Sequence, residues 1–232
     1  MHAPNRPARA RRPDPARFIR RHTRLVPVPS VPEISLHLAH EATGLWRLTG
    51  TEAGGDAARP PYWAFPWAGG MALARFLLDR PGLVAGRRVL DLGAGSGLVA
   101  IAAAKAGASK VTASEIDEYA LAAIRLNAEA NGVAFGIVGD LLGGAPPVID
   151  LVAAGDLFYE AGLAERVLRF LDLCIEGGAE VLIGDPGRNH LPRGRLEFIA
   201  DYRVPDVGEV ERGTNQASAV FRLTPPRRRR AG

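Results

Sequence analysis

The chain predicts an α/β fold, a Rossmann-like and mostly parallel sheet with helices on both faces. Three observations predict it. From residue 69 onward, short apolar runs alternate with helical runs, the order of right-handed crossover units. A glycine turn, Gly93-x-Gly95-x-Gly97, follows the first apolar run, where such sheets hold their ligands. The last two apolar runs are joined by the short polar stretch "RGTNQ", which reads as an antiparallel hairpin on the sheet edge.

Each element can be justified in turn. "GGMALARFLLDRP" has apolar residues at helical spacing and stops at Pro81. "RRVLDLGAGSG" is a strand entering the glycine turn, and "LVAIAAAKAG" is a helix closed by Gly107. "KVTASEID" is the second strand, "EYALAAIRLNAEANG" a helix closed by Gly132, and "VAFGIVGD" the third strand. "VIDLVAAGD", "AGLAERVLRFLDLCIEGG" and "AEVLIGDPG" continue as strand, helix and strand. "DYRVPDVGEVE" and "ASAVFRLTP" form the final pair. One domain, residues 69–224, accounts for all of this. Residues 25–68 are an extension that reads as short strand or helix pieces.

Composition narrows the function classes. No apolar run approaches the roughly 20 residues needed to span a bilayer, so a soluble protein without membrane contact is expected. A single cysteine, Cys174, excludes an internal disulfide and a cysteine-based zinc site. It reads as a packed helix residue, and no metal site is expected. The net charge of +4 invites a nucleic-acid partner, but its distribution argues against one. Residues 1–24 hold eight arginines against Asp14, and residues 227–230 are four arginines. These ends carry a net +11, which leaves the body at −7. The first 24 residues, interrupted by prolines 4, 7, 13 and 15, read as a disordered basic leader. Residues 225–232 read as a basic tail.

The glycine turn limits the ligand. A dinucleotide fingerprint needs G-x-G-x-x-G, and Leu98 stands where its third glycine belongs. No Gly-Lys-Ser/Thr phosphate loop follows. What remains is a nucleoside cofactor without a pyrophosphate, of which S-adenosylmethionine is the common one. Glu115, at the end of the second strand, can accept hydrogen bonds from both ribose hydroxyls. Asp140 is placed to meet the adenine amino group, and Asp91 to hold the ammonium of the methionine end. Asp117 either joins the site or caps the helix after it.

"VLDLGAGSG", "ASEID" and "GDL" resemble the first three motifs of seven-strand S-adenosylmethionine-dependent methyltransferases. The resemblance implies strand order 3-2-1-4-5-7-6, with the last strand antiparallel. In "GDLFYE", Asp156 and Tyr159 resemble the Asp/Glu-x-x-Tyr/Phe signature of enzymes in that group that methylate lysines of folded proteins. An Asp carboxylate can orient the amine, and a tyrosine ring can offer hydroxyl or cation–π contact.

"PYWAFPWAGGMALARFLL", "VLIGDPGR", "RFIRRHTRL" and "GDLFYE" are similar to segments of the family that methylates lysines of electron transfer flavoprotein β-subunit. That resemblance implies this subunit as partner, and a monomeric enzyme is expected. The compartment expected is the cytoplasm in a bacterium or the mitochondrial matrix in a eukaryote. Trp67 and the Gly69–Gly70 pair are then expected over the cofactor, the indole as a wall and the glycines for close approach. Tyr62 and Trp63 are expected on the substrate side. Asp185 and Arg188 either shape the substrate mouth or pair with each other. A ribosomal protein or a small amine such as nicotinamide is the alternative acceptor, and a non-catalytic cofactor-binding scaffold a third reading.

Overall fold

The computed structural model describes residues 14–39, 60–205 and 215–226. The basic stretch before residue 14, residues 40–59 of the extension, the expected "RGTNQ" turn up to residue 214 and the arginine tail lie outside the described residues.

The sheet begins at β3 (Arg88–Leu92) and continues through β4 (Lys110–Ser114), β5 (Gly136–Val138), β6 (Leu151–Gly155), β7 (Glu180–Asp185), β8 (Leu196–Pro205) and β9 (Asn215–Leu223). Its spatial order is β5-β4-β3-β6-β7-β9-β8. Counted from β3 as the first strand, this is 3-2-1-4-5-7-6. The pairs from β5 to β7 are parallel, and β9 runs antiparallel to both β7 and β8. The final strand pair begins earlier than its sequence suggests, at Leu196.

The central strands are apolar on both faces because both faces are covered. Val89, Ala153 and Leu182 face one core with Leu73, Ala100 and Ile124. Those three come from α2 (Ala68–Asp79), α3 (Leu98–Lys105) and α4 (Glu118–Ala130). Leu90, Val152 and Val181 face the other core, where Val167, Phe170 and Cys174 of α5 (Ala161–Glu176) pack. The period of two along each strand thus splits its side chains between two helical layers. Burial pushes the Cys174 thiol up to about 12, so it is an inert packing group.

The N-terminal part is more ordered than a leader, which corrects that expectation for residues 14–24. Residues Pro15–His22 form α1, and Pro15 starts the helix instead of breaking it. At the first helical position the missing proline N–H has no intrahelical partner to lose. Asp14 accepts the Ala16 N–H, and Phe18 and Ile19 bury against Trp63 and Tyr119. Burying each of those side chains stabilises the docked helix by about 2 kcal/mol.

A hairpin follows, β1 (Thr23–Val28) with β2 (Val31–Ala39). Its prolines, 27 and 32, are tolerated because a two-stranded ribbon leaves each strand an open edge. Alternate β2 residues Ile34, Leu36 and Leu38 pack on Met71 and Ile101. The extension therefore forms a cap over α2, α3 and α4.

Candidate active site

A cleft of about 620 Å³ opens at the carboxyl ends of β3, β4 and β6, within the size range of small-molecule sites. Its floor is the glycine turn. Gly93, Gly95 and Gly97 have φ of +67°, +53° and +82°, values that L side chains rarely adopt. A Cβ on Gly93 would also run into Leu157, whereas the space over Gly95 is open. The turn is held from several sides. The Ala94 N–H donates to the Ser114 carbonyl (3.0 Å), and the Gly95 N–H donates to Glu115 Oε2 (2.9 Å).

Glu115 faces the cleft where β4 ends. Its other oxygen accepts the N–H groups of Ile116 (2.6 Å) and Asp117 (3.1 Å). Three accepted bonds leave a carboxylate one further acceptor position for a ligand hydroxyl. Asp117 caps α4 by accepting from Tyr119 and Ala120, and it also lines the cleft. Asp140 lines the wall beyond, its Oδ1 taking the Leu142 N–H and its Oδ2 an ion pair with Arg166 (3.0 Å). Open left-handed backbone, an acid at each strand end and an apolar wall suit a nucleoside with a diol. The residues present fit S-adenosylmethionine.

The far end of the cleft is built around Asp156. Its φ is +58°, the one left-handed non-glycine among the described residues. Such strain gathers at functional sites, and Asp tolerates it better than most residues. The kink after β6 turns the carboxylate back onto α2. There Oδ2 accepts the Gly70 N–H at 2.9 Å. Oδ1 accepts two N–H bonds from Arg188, at 3.1 and 2.6 Å. Burial pushes the Asp156 carboxyl up to about 6, against the pull of Arg188 and the Gly70 N–H.

Aromatic rings surround this pair. The Arg188 guanidinium carbon sits 5.6 Å from the Trp67 ring centre, within cation–π range. Trp67 donates its indole N–H to the Tyr62 carbonyl (2.8 Å) and meets the Tyr62 ring edge-on. Tyr62 and Tyr159, 40% and 47% exposed, lie 5.8 Å apart at the mouth.

The structure thus brings Trp67, Gly93, Gly95, Glu115, Asp140, Asp156, Tyr159, Tyr62 and Arg188 to one cleft. Four expected site residues sit elsewhere. Asp91 is buried beneath the turn, accepting the Ala100 N–H (2.9 Å) at the start of α3. Desolvation there raises its carboxyl to about 7. Gly97 is filled behind by Ile124, which makes it a packing position. Gly69 lets α2 touch β7, because a Cβ there would collide with the Gly184 carbonyl and with Asp156. Asp185, 1% exposed, accepts the backbone N–H groups of Gly187 and Arg188 instead of pairing with the guanidinium. Trp63, also expected at the site, does line the cleft. It is 2% exposed and stacks on Tyr119, a core plug under α1.

Sequence reasoning expected Gly70 over the cofactor and missed that its backbone N–H positions Asp156. It also missed Asp156 as the partner of Arg188, although both stretches had been singled out as site segments.

With this geometry in place, similarity to known proteins is informative. Residues 73–154 match the family model described as ribosomal protein L11 methyltransferase (PrmA). The electron transfer flavoprotein beta subunit lysine methyltransferase of Danio rerio is 41% identical over 214 residues, 88% of this chain and 81% of that protein. The protein of the same name from Xenopus laevis is 40% identical over 220 residues, 91% of this chain and 87% of its own. Among solved structures, the ribosomal protein L11 methylase of Lactobacillus delbrueckii subsp. bulgaricus is 23% identical. It covers 66% of this chain and 77% of its own, with a TM-score of 0.47.

Proposed function

The chain belongs to the electron transfer flavoprotein beta subunit lysine methyltransferases, and from that premise we propose that it moves the methyl group of S-adenosylmethionine to lysine side chains of that subunit. The observation that carries the proposal is the Asp156 carboxylate. It is fixed by Gly70 and Arg188 in a cleft that the exposed rings of Tyr62 and Tyr159 also line.

When bound, S-adenosylmethionine supplies a sulfonium methyl group that is already a strong electrophile. Gly93, Gly95, Glu115 and Asp140 would hold its nucleoside part, and Trp67 would wall the reacting end. The chain's task is then alignment of one amine. A lysine ammonium near pKa 10.4 must first lose a proton. That proton leaves to bulk solvent before the amine docks, at a cost set by the gap between pKa 10.4 and the ambient pH. The Asp156 carboxyl, at about 6, is mostly ionised at pH 7 and orients the amine. The Arg188 guanidinium already occupies the cation position on Asp156 Oδ1, so an incoming lysine shares or displaces it. Tyr62 and Tyr159 guide the aliphatic stem. On the same reading the protein acts as a monomer, in the bacterial cytoplasm or the mitochondrial matrix that holds its substrate.

The test offers labelled S-adenosylmethionine with electron transfer flavoprotein, ribosomal protein L11 and nicotinamide in separate reactions. Label on the flavoprotein β-subunit supports the reading, and label on another acceptor alone replaces it.

A further inference from the structure

Asn127, on the inner face of α4, is 0% exposed and is not part of the cleft lining. Its side chain nevertheless joins two distant parts of the chain. The amide nitrogen donates to the Ser96 carbonyl at 2.8 Å, inside the Gly93–Gly97 turn. The amide oxygen accepts the His37 N–H of β2, also at 2.8 Å. One turn further along, Asn131 ties the same hairpin to α4. It accepts the Ser35 N–H (3.0 Å) and donates to the Ser35 carbonyl (2.6 Å). Among the described residues its side chain bonds to Ser35 and to the Asn127 carbonyl, not to the glycine turn.

Ser96 lies between two glycines of positive φ. A turn with so little intrinsic preference takes its shape from its ties. Of the bonds that hold the turn, the one from Gly95 ends on Glu115, a side chain that also faces the ligand. When a ribose hydroxyl engages Glu115, the Asn127 amide remains as a side-chain restraint that the ligand does not touch.

We propose that Asn127 is a positioning residue for the cofactor, fixing the Ser96 peptide of the glycine turn and being itself fixed by the N-terminal hairpin. This rests on the cofactor reading above.

The experiment is calorimetric titration of S-adenosylhomocysteine into the full chain, with melting temperature measured on the same samples. Asn127→Ala removes both bonds. Asn127→Leu also removes both, with a side chain of similar size and no buried charge. Both are expected to weaken binding by about tenfold, the effect of one buried hydrogen bond whose acceptor is left unmet. The Michaelis constant for the protein acceptor should stay within about twofold, because the hairpin tie does not touch the mouth. Asn131→Ala is expected to lower the melting temperature with the dissociation constant unchanged. Unchanged affinity in both Asn127 variants, with wild-type binding intact, overturns the proposal alone. Equal weakening by Asn131→Ala also overturns it, since a general loosening would then suffice. No binding by the wild type overturns the cofactor reading and this proposal together.

Discussion

Arg188 approaches Asp156 with two nitrogens, and both bonds end on the same oxygen, Oδ1. The other oxygen is taken by the Gly70 N–H. The carboxylate is therefore locked in direction while its charge is only partly compensated, since burial still raises it to about 6. A buried acid held this way titrates according to its one cationic neighbour.

Arg188→Ala should move the acidic limb of kcat/KM upward from near pH 6. Without the guanidinium, desolvation acts on Asp156 unopposed except by Gly70 and nearby dipoles. Activity at pH 7 is expected to fall about tenfold and to recover in part toward pH 8.5. A pH–rate profile over that range checks this, and a limb that stays at pH 6 contradicts it.

Asp91 gives a second, separable pH effect. Its carboxyl rises from an ordinary 3.8 to about 7 on folding. The folded state then binds a proton between about pH 4 and 7 that the unfolded state has already released, so this group's contribution to stability is lost as pH rises through that window. Asn at this position can still accept the Ala100 N–H and does not titrate. Urea melts at pH 5 and pH 7.5 should show Asp91→Asn gaining on the wild type at the higher pH. Parallel pH dependence of the two proteins would contradict the assignment.

Gly69 and Gly70 are adjacent but should respond in opposite ways to alanine. At Gly69 a Cβ strikes the Gly184 backbone, while at Gly70 it meets open space. Gly69→Ala is expected to cost about 3 kcal/mol by prying α2 from β7. Gly70→Ala should be neutral or stabilising by up to about 1 kcal/mol, as alanine favours a helix. Melting curves separate the two, and equal effects would refute this packing account.

The aromatic cluster divides between core and mouth. Trp63→Ala should cost about 3 to 5 kcal/mol of stability. Tyr62→Ala should leave stability nearly unchanged and raise the Michaelis constant for the protein acceptor. Steady-state kinetics beside thermal melts would reveal the reverse assignment if it held.

These contrasts show which parts of the molecule are readable from residues. The parallel strands were legible because burial on both faces makes them continuous apolar runs, and the glycine turn because its backbone demands that spacing. The α1 helix was not, since Pro15 looks like a breaker unless its place at the helix start is known. Asp91 and Asp156 both follow apolar strand residues. Only the left-handed kink at Asp156, visible in three dimensions, turns that carboxylate into the cleft against α2 while Asp91 stays beneath the turn. The Arg188–Asp156 pair bridges 32 positions, a separation at which local pattern holds no information.

The most direct test of the account is mass-spectrometric mapping of methyl groups on electron transfer flavoprotein treated with wild-type protein or with Asp156→Ala. Cofactor binding of both should be measured in parallel. The account predicts methylated β-subunit lysines with the wild type, none with the variant, and similar cofactor binding by the two. Methylated lysines at undiminished level with Asp156→Ala would contradict the role of the clamped carboxylate. No methylation of the β-subunit by a wild type that binds the cofactor would contradict the substrate.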